Sequence, residues 1–309
     1  MMARPCKLCS GVAAILLCGA LFAQPPGGGS GSDPAADLLR QARQKTTEGK
    51  PDEALAIYND AILKFPTSVG ARTQAGVLLD LLGRYTEARP YFAKAIEIAT
   101  TPQAKAQAQR SMAMSYAFEG NCKGAAKYEG PLYQSYLDAK DWFNAGETAD
   151  ELARVCIDSG DLTAALSWYQ KGHEAGMNET PEAQKDLWNF RWEHAQARIA
   201  ARRGNKTEAQ KHVDAAKAIL DKGSNPQQAQ FFPYLTGYVA FYLGDYRTAL
   251  TDLQKANQND PFILVLMAQA YEKLGEKDQA MECYRKAAAS NAHNPPNAYA
   301  HPLAKKKLG

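Results

Sequence analysis

Five histidines, His173, His194, His212, His293 and His301, carry the most latent chemistry in this chain of 309 residues. A zinc-hydrolase helix would place two of them four apart around a glutamate, and a structural zinc site would set them beside cysteines at short spacing. Neither pattern occurs. Cys6 and Cys9 have the CxxC spacing of a ligand pair, but no second pair follows. Gly49 and Lys50 lack the glycine run and the following Ser or Thr of a phosphate-binding loop. The stretch GGSGS at 28–32 nearly forms a nucleophile elbow, yet it ends in serine where glycine is needed. Carboxylates are many and scattered along helical faces. The reading is therefore no catalytic residue, no metal site, no cofactor and no enzyme.

Recognition chemistry is better represented. FFPYLTGYVAFYLGDYRTAL, residues 231–250, holds seven aromatics, and RWEHAQARIAARRGNK, residues 191–206, is rich in arginine. Rings can stack on a ligand or fill a core, and arginines can grip a carboxylate or balance a neighbouring acid. The direction each side chain faces depends on the elements that carry it.

Composition, at 45% hydrophobic and 22% charged residues, describes a folded protein and not a disordered or polytopic membrane chain. The N-terminus MMARPCKLCSGVAAILLCGALFAQ has a basic start, an apolar run from Gly11 to Ala23 and then small or polar residues, the layout of an export signal. The run is shorter than the roughly twenty residues needed to span a bilayer, so a retained membrane helix is the second reading. Losing Arg4 and Lys7 with this segment takes 36 basic residues to 34 against 33 acidic, a net charge of +1. That argues against a dedicated nucleic-acid binder, which needs a basic excess. QPPGGGSGSDP, residues 24–34, reads as a flexible tether. Cys122, Cys156 and Cys283 remain beyond the signal, enough for at most one disulfide, and three buried apolar thiols are the favoured reading.

Beyond the tether one phrase recurs. Gly49, Ala54, Tyr58 and Ala61 are matched 34 residues on by Gly83, Ala88, Phe92 and Ala95. Offsets of four and three place alanine, aromatic and alanine on one helical face, and the glycine stops the helix before it. The unit is a helix hairpin that must stack on a neighbour to bury its apolar face. Further copies begin at Gly120, Gly160, Gly204, Gly244 and Gly275, and the marker alanines are spaced 34, 37, 40, 44, 40 and 31 apart. In the third copy Glu129 stands where an aromatic belongs, and Pro131 should kink its helix.

This phrase resembles the tetratricopeptide repeat, over nearly all of residues 35–290. The resemblance implies an all-α, right-handed superhelical solenoid of about seven antiparallel hairpins, with the first helix of each lining a concave groove. It places Phe231, Tyr234, Tyr238, Phe241 and Tyr242 on the groove face of the sixth unit, and Arg191, His194, Arg198 and Arg202 on that of the fifth. Phe232 and Tyr246 fall to packing, Tyr234 and Phe241 to positions where the family often has rings, leaving Phe231, Tyr238 and Tyr242 as exposed rings available to a ligand. The basic wall suits a peptide with an acidic group, and its alternative is balance by Glu147, Asp150, Glu151 and Asp158. The carboxylate clamp of chaperone-binding members is not reproduced.

The expected organisation is a signal peptide at 1–23, a linker at 24–34, the solenoid at 35–290 and a capping segment at 291–309. The expected function is an exported bacterial scaffold, periplasmic or secreted, that binds a protein or peptide. The alternatives are a membrane-attached subunit of an envelope assembly, and an enzyme or sugar binder using the rings.

Overall fold

The computed structural model describes residues 33–179 and 181–309. The expected signal peptide and most of the linker lie outside the described residues. Fourteen helices pair into seven antiparallel hairpins, and no strand occurs among the described residues. The pairs are α1 (Ala36–Thr47) with α2 (Pro51–Lys64), α3 (Val69–Leu81) with α4 (Tyr85–Ile98), and α5 (Pro102–Phe118) with α6 (Cys122–Asp138). Next come α7 (Trp142–Asp158) with α8 (Leu162–Gly176), α9 (Glu182–Arg202) with α10 (Lys206–Asp221), α11 (Phe232–Tyr242) with α12 (Tyr246–Leu253), and α13 (Pro261–Leu274) with α14 (Lys277–Ala288). A 3-10 turn, Pro226–Phe231, leads into α11. The fold is the helical solenoid that the repeat implied.

The local cause of each hairpin is legible. All seven marker glycines sit at φ between 66° and 89°, the left-handed conformation that ends a helix and that side chains with a Cβ resist. In four units the next residue starts the partner helix: the side chains of Asn121, Asp161, Asn205 and Asp245 accept a hydrogen bond from the backbone N–H three residues on. Between α6 and α7 the same conformation falls on Lys140, at φ 57°.

The seven marker alanines are all at most 1% exposed. A methyl group is small enough to let paired helices approach closely, so the repeat phrase is the packing seam. Tyr58, Phe92, Tyr169 and Tyr284 fill the adjoining aromatic position and are buried. Glu129 occupies it in the third unit and is buried too, with both carboxylate oxygens lacking a hydrogen-bond partner. The helix α6 continues through Pro131.

Two features were not expected. Cys122 and Cys156 form a disulfide between α6 and α7, with Cα atoms 4.8 Å apart, which overturns the favoured reading of three buried thiols. Units three and four bring the two sulfurs together across a helix pair, a proximity that sequence spacing does not specify. Cys283 stays free and buried.

The second is α15 (Pro295–Leu308). It packs on α13 and α14, as a cap would, but also on α5 and α7. Ala298 joins the cluster of Phe118 and Val155, while Ala300 and Ala304 join that of α13 and α14. Asn297, Ala300, His301 and Ala304 are buried. The segment thus lies inside the curve of the solenoid and bridges its earlier and later units.

Candidate functional site: the inner wall of helices α7, α9 and α11

The first helices of units four, five and six present a polar and aromatic wall. Arg191, His194, Arg198 and Arg202 recur every three or four residues along α9, so they form one stripe. Tyr234, Tyr238 and Tyr242 do the same along α11. The two stripes meet through the Arg202–Tyr242 hydrogen bond and through ring contacts, while the hydroxyls of Tyr234 and Tyr238 have no partner.

Arg202 donates from Nη1 to the Tyr242 hydroxyl at 2.9 Å, its guanidinium carbon 4.6 Å from the ring centre. Arg198, 6% exposed, donates from Nη2 to the Tyr169 hydroxyl at 2.8 Å and lies 5.8 Å from the Tyr238 ring. His194 rests 5.5 Å from the Tyr234 ring. Burial, with Arg198 and Arg154 adding their charge, holds its imidazole well below the ordinary value, so it is neutral at physiological pH. Arg191 alone follows the balanced reading, pairing with Glu147 while covering the Trp188 ring.

The ring expectations need correction. Tyr238 is fully buried, not exposed, because Phe262 of α13 stacks on it at 6.2 Å and Tyr242 covers it at 4.5 Å. Phe231 ends the 3-10 turn and is half-buried against the cluster of α9 and α10 that also takes Phe232, so it is a packing residue and not a free ring. Of the three rings left as exposed by the register, Tyr242 is half-buried and keeps an edge on the wall. Tyr234 is buried, and Phe241 is half-buried against Tyr242 and Tyr246.

Sequence reasoning missed Arg154. It lies on α7 one turn from both Asp150 and Asp158, and its guanidinium carbon stands 5.3 Å from the Phe262 ring and 5.9 Å from that of Tyr234. Its Nε and Nη2 atoms are buried without a hydrogen-bond partner. The signal was present, since the acids already assigned to this face lie three and four residues either side. Burial pushes the carboxyl of Asp150 up to about 7 and that of Asp158 up to about 6, against the opposing pull of nearby arginines.

Tyr299 was also missed, being assigned to a cap. With Asp158, Gln269, Phe118, Val155 and Leu303 it lines a cavity of about 400 Å³ between α15 and the ends of α5 and α7. No group of three or more His, Cys, Asp or Glu side chains suited to a metal ion occurs among the described residues.

Solved structures similar to the chain include a tetratricopeptide repeat protein from Parabacteroides merdae ATCC 43184, 15% identical over 88% of this chain and 98% of that one, TM-score 0.49. Another is the APC/C hetero-tetramer Cut9-Hcn1, 17% identical over 88% of this chain and 49% of that one, TM-score 0.40. A third is Naa15/Naa10 bound to HypK-THB, 16% identical over 81% and 36%, TM-score 0.36. No curated protein matches the chain. Two family models do match, both described as tetratricopeptide repeat, over residues 39–105 and 263–294. The first spans α1 to the start of α5 and the second α13 and α14, so the hairpins at both ends of the described solenoid match the tetratricopeptide repeat.

Proposed function

We propose that the chain is an exported protein-interaction scaffold that receives a protein or peptide partner on the inner wall of α7, α9 and α11. The observation that carries this reading is the concentration there of arginine and tyrosine, the residue types that dominate binding hot spots, of which Arg154, Arg191, Arg202 and Tyr242 keep partial exposure. Export is supported by the apolar run Gly11–Ala23 and by the Cys122–Cys156 disulfide, since disulfides persist in oxidising compartments. No helix among the described residues is long and apolar enough to cross a membrane. A membrane-attached scaffold held by its N-terminus is the second reading, favoured by the same apolar run. No catalytic role and no nucleic-acid partner are proposed.

Affinity capture tests the wall, using the mature chain and a variant combining Arg202→Glu with Tyr242→Ala, both half-buried positions. A partner recovered by the natural chain and lost by the variant supports the reading. Equal recovery places binding elsewhere. Fractionation of the envelope separates the two locations, by release into the soluble fraction or retention with membranes.

A further inference from the structure

We propose that Arg154, Arg198 and the hydroxyls of Tyr234 and Tyr238 form a binding site for one oxyanion. The inference rests on the reading of the inner wall as the partner surface and names the chemical group recognised there.

Three guanidiniums, Arg154, Arg198 and Arg202, come together from α7 and α9. Among the described residues none of them has a carboxylate within the 4.0 Å of an ion pair. Arg198 and Arg202 turn instead to tyrosine hydroxyls, which carry no charge to offset theirs. Arg154 has no hydrogen bond at all from Nε or Nη2. The acids whose fields reach these arginines are Asp150, Asp158 and Asp260, and none of them closes an ion pair with a guanidinium of the group. A guanidinium withdrawn from water without a counter-ion is costly, and an anion held there offsets that cost.

The surrounding groups favour the same ligand. Tyr234 and Tyr238, 7% and 0% exposed, have hydroxyls without a partner. Their rings are 5.9 Å apart and link Arg154, beside Tyr234, to Arg198, beside Tyr238. Arg154 is the fixed donor of the cluster, and the two tyrosine hydroxyls are free to turn and donate beside it. A forked guanidinium offers two parallel N–H groups to the two oxygens of a carboxylate, sulfate or phosphate group. Arg154 and Arg202 are half-buried, so the charged edge of the cluster is reachable from the groove.

Calorimetric titration of the full chain tests the site with two probes, sodium sulfate and a capped tetraglutamate peptide, against sodium chloride at matched ionic strength. Saturable one-to-one binding of either probe is expected, roughly tenfold or more weaker in Arg154→Gln and partly restored in Arg154→Lys. Tyr234→Phe, which removes only an unpartnered hydroxyl, should also weaken binding while leaving the fold intact. Sulfate binding identifies a free anion as a sufficient ligand, whereas binding of the peptide alone means that the group arrives on the partner. No saturable binding of either probe, or equal binding by the Arg154→Gln and Tyr234→Phe variants, overturns the proposal. Undiminished partner capture by folded Arg154→Gln would also overturn it and leave the scaffold reading standing.

Discussion

His293 Nε2 lies 2.8 Å from Asp80 Oδ2, joining positions 213 residues apart across the inside of the solenoid. Both side chains are nearly sealed from solvent, at 3% and 0% exposure. The other oxygen of Asp80 accepts from Ser115 Oγ at 2.8 Å, and His301 Nε2 lies 3.0 Å from the carbonyl of Leu81. The end of α3 is therefore gripped twice by the segment that carries α15.

Removing one side of this tie leaves a buried polar group without its partner. Asp80→Ala should cost about 3 kcal/mol, and adding His293→Phe, which keeps a ring against Phe92 and Phe118, should cost little more, since the bond between the two positions is already gone. Urea denaturation of the single and double variants measures the coupling. Losses that simply add would contradict it.

Burial of the acids on and beside α7 makes stability fall as pH rises. Glu129 is held well above its ordinary carboxyl value by burial first and by Glu151 second, and Glu151 is raised as well, again by burial first. A folded-state carboxyl with a raised pKa binds its proton more tightly than the unfolded one. Its stabilising effect is complete below the ordinary carboxylate range and is lost as pH climbs from there through the folded value. Asp158, at about 6, and Asp150, at about 7, extend the window towards neutrality. Glu129→Gln removes one titrating group and should flatten the decline, by on the order of 1 kcal/mol or more between pH 5 and 8. Denaturation midpoints across that range give the slope, and parallel curves for the two proteins would rule Glu129 out as a cause.

The disulfide closes a loop 34 residues long in sequence. Cys122→Ala with Cys156→Ala should lower stability by about 3 kcal/mol, chiefly by freeing the unfolded chain. The same loss should appear in the natural protein under reductant. Thiol labelling after unfolding without reductant should mark Cys283 and spare Cys122 and Cys156.

Two glycines in helices provide an internal contrast. A methyl group on Gly176 would overlap the ring of Trp188, which is 1% exposed, so Gly176→Ala should destabilise by about 1–3 kcal/mol. At Gly130 the nearest atom is 3.9 Å away on Trp168, and alanine there should stabilise by roughly 0.5–1 kcal/mol through helix propensity. Thermal melts that move in the same direction for both would refute the packing account.

Tyr238 gives the sharpest test of the corrected register. Its burial predicts that Tyr238→Ala costs about 3–5 kcal/mol. Tyr238→Phe should cost almost nothing, because its hydroxyl has no partner. A thermal melt showing little loss for the alanine variant would return the ring to the surface.

The hairpins were legible because each rests on a short-range device, a glycine that must turn left-handed and an alanine that must be small. Both act within one unit, and spacing alone exposes them. The stripes on α9 and α11 were legible for the same reason, and helical periodicity places them on one wall. What covers that wall was not. Phe262 belongs to the next unit, Tyr169 to the unit before, and Tyr299 to a segment some sixty residues further on. Periodicity says which face a residue occupies but not what a distant element lays across it. The disulfide escaped for the same cause, as did the location of α15, whose small and polar residues read as a solvent-facing cap although several are buried.

A row of hairpins in which each touches only its neighbours can fray from either end and can begin to form anywhere along its length. The strut from α13 and α14 across to α3, α5 and α7 changes that behaviour. Early and late units share one fate, so melting should be a single sharp event and not a progressive one. Kinetics are affected as well, because joining Asp80 to His293 closes a loop of more than two hundred residues, a slow contact among many fast local ones. Residues 293–301 follow all seven of the described hairpins, so during synthesis the tie to Asp80 can form only after those hairpins have been made.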